Sequence, residues 1–175
     1  SIYTYMGYWI RKRNISVITA LLTVREKTGE KLIVKSQEIK SCKSFVFRGS
    51  ELLTGIDIKS DFFGSVEIEF FSAVDMVFPY PAITFAFESL KGLTFVHTAG
   101  RIYNDLDDLE QNEEQQVPET GFDVFLGKEF DPFFTFVNGP FPIVSSNYMI
   151  EFLDTRGNTR KLQRTLKNIP KYGLG

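Results

Sequence analysis

The chain has 175 residues, 18 of them Phe, and a net charge of −2 from 20 basic and 22 acidic side chains. This balance gives no general attraction to nucleic acid or to an anionic membrane surface. No stretch approaches the ~20 apolar residues of a transmembrane helix, so we expect neither a nucleic-acid nor a membrane partner. Most Phe rings are expected in a large core, because burying one is worth roughly 1.5–3 kcal/mol, and exposed ones would mark a binding surface.

The first forty residues predict antiparallel strands. Residues 2–10 are aromatic and β-branched, and residues 15–25 form a second run of strand-forming residues. Residues 26–30, with Gly29 able to adopt a positive φ, predict a hairpin turn into a strand over 31–39. In that returning strand, one side is weakly more apolar than the other, and it carries Leu32, Val34 and Ser36.

Two further patterns follow in the middle of the chain. Cys42, the only cysteine, precedes a short extended run and is expected to be a small buried hydrophobe, whereas residues 50–53 predict one helical turn. Over 65–72 one side is apolar, formed by Val66, Ile68 and Phe70. The carboxylates of Glu67 and Glu69 share the other side, which predicts a half-buried strand with these carboxylates on its solvent face.

The second half of the chain continues with short strands. A hairpin is predicted from residues 82–87 and 93–98 around a turn at 89–92. Further strands are predicted over 121–126, 133–137, 148–153 and 160–166. Residues 154–158 have the composition of a hairpin turn between the last two strands.

These segments predict an all-β protein, because no helical crossovers separate the strands. We expect an antiparallel two-sheet β-sandwich of the jelly-roll kind, with a closed β-barrel as the alternative. We expect a single domain over residues 1–175, because no linker or fixed repeat interrupts it. Residues 101–120 hold many carboxylates and few large apolar residues, and they predict an acidic surface loop.

The densest polar block follows the predicted strand that ends near His97, the only histidine. Functional residues concentrate in loops that a rigid scaffold holds, so we predict a ligand-binding surface here, formed by His97, Arg101, Tyr103, Asn104, Asp105 and Asp107. His97 shares a strand face with Leu93 and Phe95, which is typical of a core histidine. Tyr103 beside Asn104 suits a sugar, because its ring joins an apolar body to a polar tip; Trp9 is another candidate platform.

Calcium is the one metal that this block suits. Carboxylate oxygens of the kind that calcium prefers are offered by Asp105, Asp107 and Asp108. The spacing does not match an EF-hand loop, so the alternative is a solvated acidic loop. No other cofactor is indicated, because the chain has no phosphate loop and no dinucleotide fingerprint.

The function that these observations favour is a noncatalytic binding or interaction module, with a glycan or another protein domain as partner. One alternative is a small hydrolase or lyase that uses His97 or a loop carboxylate as general base. Another is a structural domain that assembles into homo-oligomers through exposed sheet edges. The sequence contains none of the common catalytic motifs, so we lean toward a protein that is not an enzyme. It does not indicate a cellular compartment.

Overall fold

The computed structural model describes residues 1–58, 61–74, 76, 83–98 and 133–175, with positions 97 and 98 described by their backbone alone. The described strands are β1 (Ile2–Met6), β2 (Ile18–Glu26), β3 (Lys31–Ile39), β4 (Ser44–Arg48), β5 (Gly64–Phe71), β6 (Ile83–Ser89), β7 (Gly92–Thr98), β8 (Ile143–Leu153) and β9 (Thr159–Ile169). Two short helices are α1 (Tyr8–Arg13) and α2 (Gly49–Leu52). The chain divides into two compact units, Ser1–Asn104 and Asp105–Gly175. The strand predicted over 121–126 and the acidic loop predicted over 101–120 lie outside the described residues.

The first predicted strand is shorter than the sequence pattern suggests. β1 ends at Met6, and the residues after Gly7 form α1 instead of extending the strand. At Gly7 the chain lies very close to the loop between β3 and β4. A Cβ added at this position would come 2.5 Å from the carbonyl oxygen of Ser41. The helix turns Trp9 fully into the core, and Asn14 ends it in the left-handed conformation with φ 54°. The prediction of a strand over residues 7–10 was therefore wrong.

The larger sheet of the first unit has four antiparallel strands in the order β4-β1-β6-β7. Its register places Tyr3 between Phe47 and Phe85, and Tyr5 opposite Phe45. Tyr3 and Tyr5 are buried, so this aromatic side of the sheet faces the core. The β6–β7 hairpin confirms the sequence prediction, and its turn is only two residues long.

The second sheet has three antiparallel strands in the order β3-β2-β5. The central strand buries every second side chain, Ile18, Ala20, Leu22 and Val24. Facing them on β5 are the predicted apolar positions Val66, Ile68 and Phe70. On β3, however, Ile33 lies opposite Val24 on the core side, whereas Val34 is exposed. The side of β3 that the sequence makes more apolar is therefore the outer side.

One hydrophobic cluster takes side chains from both sheets of the first unit. At its centre the Tyr5 ring stacks on Phe45 at 5.4 Å and meets Phe70 of the other sheet edge-on at 5.1 Å. Trp9 from α1 contacts the same Phe70 ring at 4.9 Å. Among the described residues the protein is mostly β, with three antiparallel sheets of which none is closed, so the all-β class is confirmed.

The described part of the second unit is built around the β8–β9 hairpin. Its two 11-residue strands pair along most of their length, which extends the two strands predicted at 148–153 and 160–166. Residues 136–139 run beside the C-terminus, where Asn138 donates its backbone N–H to the Gly173 carbonyl at 2.8 Å. The strand predicted at 133–137 is reduced to a single bridge between Val137 and Leu174. No helix in the described ranges is long and apolar enough to cross a membrane.

Candidate functional site

The predicted ligand site begins at the end of β7. His97 occupies a position in that strand opposite Thr84. The other predicted site residues lie outside the described residues: Arg101, Tyr103, Asn104, Asp105, Asp107 and Asp108. Ligand binding by this set, and calcium binding by its aspartates, therefore stay predictions. Within the described ranges, no three side chains of His, Cys, Asp or Glu come together as a metal site.

The face of β7 that carries position 97 differs from the sequence expectation. Strand alternation places Leu93 and Phe95 on that face, opposite Glu88 and Ala86 of β6. We expected such a face to be core, but the Phe95 side chain is 61% exposed and Leu93 is exposed as well. The apolar side chains next to position 97 therefore form part of an outer surface.

This surface continues across all four strands of the larger sheet. We call it the outer sheet face. Its apolar members are Ile2, Met6, Val46, Ala86, Leu93 and Phe95. Ala86 is covered by its neighbours, whereas Met6, Val46, Leu93 and Phe95 are exposed. In β1, Tyr3 and Tyr5 face the aromatic core while Ile2 and Met6 lie on the outer sheet face, so this strand is apolar on both faces, which is typical of a strand that is covered on both sides.

Polar groups on the outer sheet face carry no net charge. Arg48 and Glu88 form an ion pair at 3.2 Å with both side chains about half exposed. The remaining described polar side chains are hydroxyl groups, on Thr4, Ser44 and Thr84. Aromatic and aliphatic side chains with few charges are the composition found at the centre of protein interfaces. The sequence signal for this face is the high apolar content of β6 and β7, and alternation alone does not show which of their apolar side chains are exposed.

A second polar cluster lies on the outer side of the three-stranded sheet. Arg25 is only 5% exposed, and it donates two hydrogen bonds, at 2.6 and 3.1 Å, to one carboxylate oxygen of Glu67. A third bond runs from Arg25 to the Gly29 carbonyl at 3.2 Å, which ties the β2–β3 turn to β5. Burial, with a smaller contribution from the neighbouring charge of Glu67, raises the pKa of Glu69.

These carboxylates do not have the surroundings that the sequence analysis expected. We placed Glu67 and Glu69 on the solvent side of the sheet, and the Glu67 side chain is in fact only 25% exposed. The Glu67 carboxylate is bound by Arg25. The buried guanidinium group of Arg25 in turn donates hydrogen bonds to Glu67 and to the Gly29 carbonyl. The cluster is therefore arranged as a structural ion pair between neighbouring strands.

Two other residues that the sequence analysis discussed are placed differently from expectation. Trp9 is fully buried under the aromatic core, so its ring has no face free for a sugar. Cys42 is exposed in the loop before β4, so the prediction that it is buried was wrong. Cys42 lies in the short loop that joins β3 to β4, and its side chain is not part of the hydrophobic cluster of the first unit.

No protein-family model matches this chain, and neither curated proteins nor solved structures gave a match.

Proposed function

We propose that this chain is a noncatalytic interaction module and that it associates with a second copy of itself through the outer sheet face. The observation that carries the proposal is the exposure of Phe95, Leu93, Val46 and Met6 on one sheet face. Scattered apolar residues are normal on a protein surface, but a contiguous exposed patch indicates an interaction site. Here the members share one sheet face that spans four strands.

The charge of the outer sheet face favours a second copy as the occupant. In a two-fold dimer each copy presents the same patch. Since Arg48 and Glu88 contribute one charge of each sign, two copies of this face do not repel each other. Arg48 of one copy and Glu88 of the other can then exchange the ion pair that each now makes internally.

The size of the outer sheet face supports a weak dimer. Four strands at ~4.8 Å spacing and about six residues at ~3.3 Å rise give a face of roughly 20 by 20 Å. That is about half of the ~800 Å² that each partner buries in a standard interface. We therefore expect association in the micromolar range or weaker.

The fold within the first unit is part of the same proposal. We propose that the four-stranded and three-stranded sheets form a two-sheet sandwich of the jelly-roll kind. The contact between Tyr5 of one sheet and Phe70 of the other, at 5.1 Å, supports this arrangement, as does the hydrophobic cluster that both sheets supply. In that arrangement the outer sheet face is the side turned away from the sandwich interior.

Sedimentation velocity across a concentration series tests the self-association. The wild-type chain is expected to shift from monomer toward dimer as its concentration rises to several hundred micromolar. Phe95→Asp replaces a large exposed apolar side chain of this face with a charge, and it is expected to keep the chain monomeric throughout. Phe63→Asp is the matched control, because Phe63 is 63% exposed and lies outside the outer sheet face.

Two results would contradict the proposal. One is a wild-type chain that stays monomeric over the whole series. The other is a dimer that Phe95→Asp and Phe63→Asp weaken equally. Far-ultraviolet circular dichroism of both variants checks that each is folded before the comparison is made.

Glycan binding remains a separate proposal for the residues that follow β7. It rests on the sequence block from His97 to Asp107 and on the exposed Phe95 beside position 97. Calcium binding by Asp105, Asp107 and Asp108 and a general-base role for His97 stay predictions of the same block. A glycan array read with and without calcium addresses the first two. Val46→Asp also puts a charge on the outer sheet face but leaves Phe95 in place, so a monomeric Val46→Asp chain separates sugar binding from self-association.

A further inference from the structure

The β8–β9 hairpin has two chemically different faces. One face, which we call the hairpin face, is mainly apolar and carries two arginines; the members used below are Tyr148, Ile150, Phe152, Leu162, Leu166, Arg160 and Arg164. On the opposite face, exposed Met149 and Leu153 lie among polar groups that pair with each other across the strands. Lys161 binds Glu151 at 3.0 Å, and Thr165 donates a hydrogen bond to Asn147 at 2.8 Å.

The hairpin face is incompletely covered within the described residues. Ile150, Phe152, Leu162 and Leu166 are only half-buried, and Tyr148 is exposed. An isolated two-stranded hairpin is marginally stable in water, and it normally needs a third strand or a helix against its apolar side. A partner that covers this face therefore gains apolar contact and stabilises the hairpin at the same time.

Charge decides which kind of partner suits the hairpin face. Its only charged members are Arg160 and Arg164, which lie on one strand and are ~13 Å apart by strand rise. A second copy of the same face would bring these cations against each other. Carboxylates spaced along an extended or helical segment would instead pair with them, and guanidinium groups bind carboxylates in a two-pronged geometry.

We infer that the hairpin face is a docking site for an acidic polypeptide segment whose carboxylates are interspersed with apolar side chains. The apolar side chains of the segment cover Ile150, Phe152 and Leu162, and its carboxylates bind Arg160 and Arg164. This surface shares no residue with the outer sheet face, so the inference stands or falls independently of self-association.

Binding of a labelled peptide to the full chain tests this inference. The probe is a ten-residue peptide of alternating Glu and Leu, and fluorescence anisotropy measures its binding. We expect saturable binding that weakens several-fold when salt is raised from 50 to 300 mM, since exposed ion pairs are screened. Matched peptides with Lys in place of Glu, or with Ser in place of Leu, are expected not to bind.

Two double variants locate the site. Arg160→Glu with Arg164→Glu reverses the charges of the hairpin face and is expected to weaken binding at least tenfold. Lys161→Glu with Lys167→Glu makes the same change in net charge on the opposite face and is expected to weaken it less than threefold. If the first variant does not fold, Arg160→Gln with Arg164→Gln replaces it, with an expected loss of at least threefold.

Three outcomes would overturn the inference: no saturable binding up to 1 mM peptide, equal loss in the two double variants, or equal affinity for the Lys-containing peptide. Self-association measured on the same samples stays unchanged in the arginine variants if the two surfaces are independent. A failure here and a failure of the proposed dimer are thereby distinguishable.

Discussion

The aromatic core of the first unit and the β8–β9 hairpin are built from similar residues with opposite results. In the core, Tyr5 is enclosed by rings from its own sheet and by Phe70 from the other sheet. In the hairpin, Tyr148 and Phe152 lie on a two-stranded sheet, and among the described residues of the second unit only Gly173 is buried. Burial therefore depends on how many layers share an apolar side, and much less on how apolar a strand is.

A matched pair of leucines gives the largest expected difference. Leu22 is buried in the core, so Leu22→Ala is expected to lower the free energy of unfolding by about 2–5 kcal/mol. Leu162 on the hairpin face is half-buried, and Leu162→Ala is expected to cost less than about 1 kcal/mol. The only tryptophan, Trp9, lies in the core, so its fluorescence during urea unfolding reports on the first unit.

The comparison fails if Leu162→Ala lowers the free energy of opening of the hairpin, measured by amide hydrogen exchange, by as much as Leu22→Ala lowers the free energy of the Trp9 transition. Such a result would mean that the hairpin is as strongly packed as the core. If only Leu22→Ala shifts the Trp9 transition, and the hairpin amides exchange rapidly with solvent, the difference in packing between core and hairpin is established directly.

Ion pairs offer the same contrast at a smaller scale. Arg25→Ala removes the bonds to Glu67, and it is expected to cost about 2–3 kcal/mol, somewhat less than the loss for a fully buried pair. Lys161→Ala breaks a pair in which both side chains are about half exposed, and the expected cost is about 0–1 kcal/mol. Thermal unfolding followed by circular dichroism measures both; similar costs would show that burial does not distinguish the two pairs.

The smallest expected effect concerns the hydroxyl group of Tyr5. It is buried and has no hydrogen-bond partner among the described residues, so Tyr5→Phe is expected to stabilise the protein by up to about 1 kcal/mol. Tyr3→Phe is the control, since the Tyr3 hydroxyl accepts a bond from Ser1 at 3.2 Å. A loss of stability in Tyr5→Phe, measured by urea unfolding at neutral pH, would show that the hydroxyl has a stabilising partner.

The same substitution has a pH signature. Burial raises the pKa of Tyr5 above its ordinary value of 10.0. Above pH 10 the unfolded chain loses this proton while the folded chain keeps it, so the stability of the folded state falls as pH rises. Tyr5→Phe is expected to make that alkaline fall shallower, and an unchanged slope would contradict the assignment.

How much of this architecture the sequence predicts depends on the local signal. Alternation in β5 was enough to separate Val66, Ile68 and Phe70 from Glu67, because one face is apolar and the other acidic. In β3 the alternation is weak, and the core side is fixed by pairing with β2, which places Ile33 opposite Val24. Lys35 is tolerated on that side because its ammonium group reaches the Glu51 carbonyl at 2.6 Å.

The functional surfaces were harder to predict. Along β7 the sequence indicates an apolar face but not what lies against it, so exposed Phe95 was mistaken for core. The hairpin face depends on which residues of β8 and β9 lie opposite each other, and only the pairing register supplies this. The ligand site predicted between His97 and Asp107 lies almost entirely outside the described residues and stays a prediction.

Cys42 has a practical consequence for these questions. Because it is the only thiol in the chain and is exposed, a spin label or fluorophore can be attached at one known place without any substitution. The labelled position lies just before β4, which is an edge strand of the four-stranded sheet. In a two-fold dimer, electron paramagnetic resonance then measures one distance, between the two spin labels. That distance distinguishes a dimer that stacks sheet faces from one that joins strands at the sheet edges.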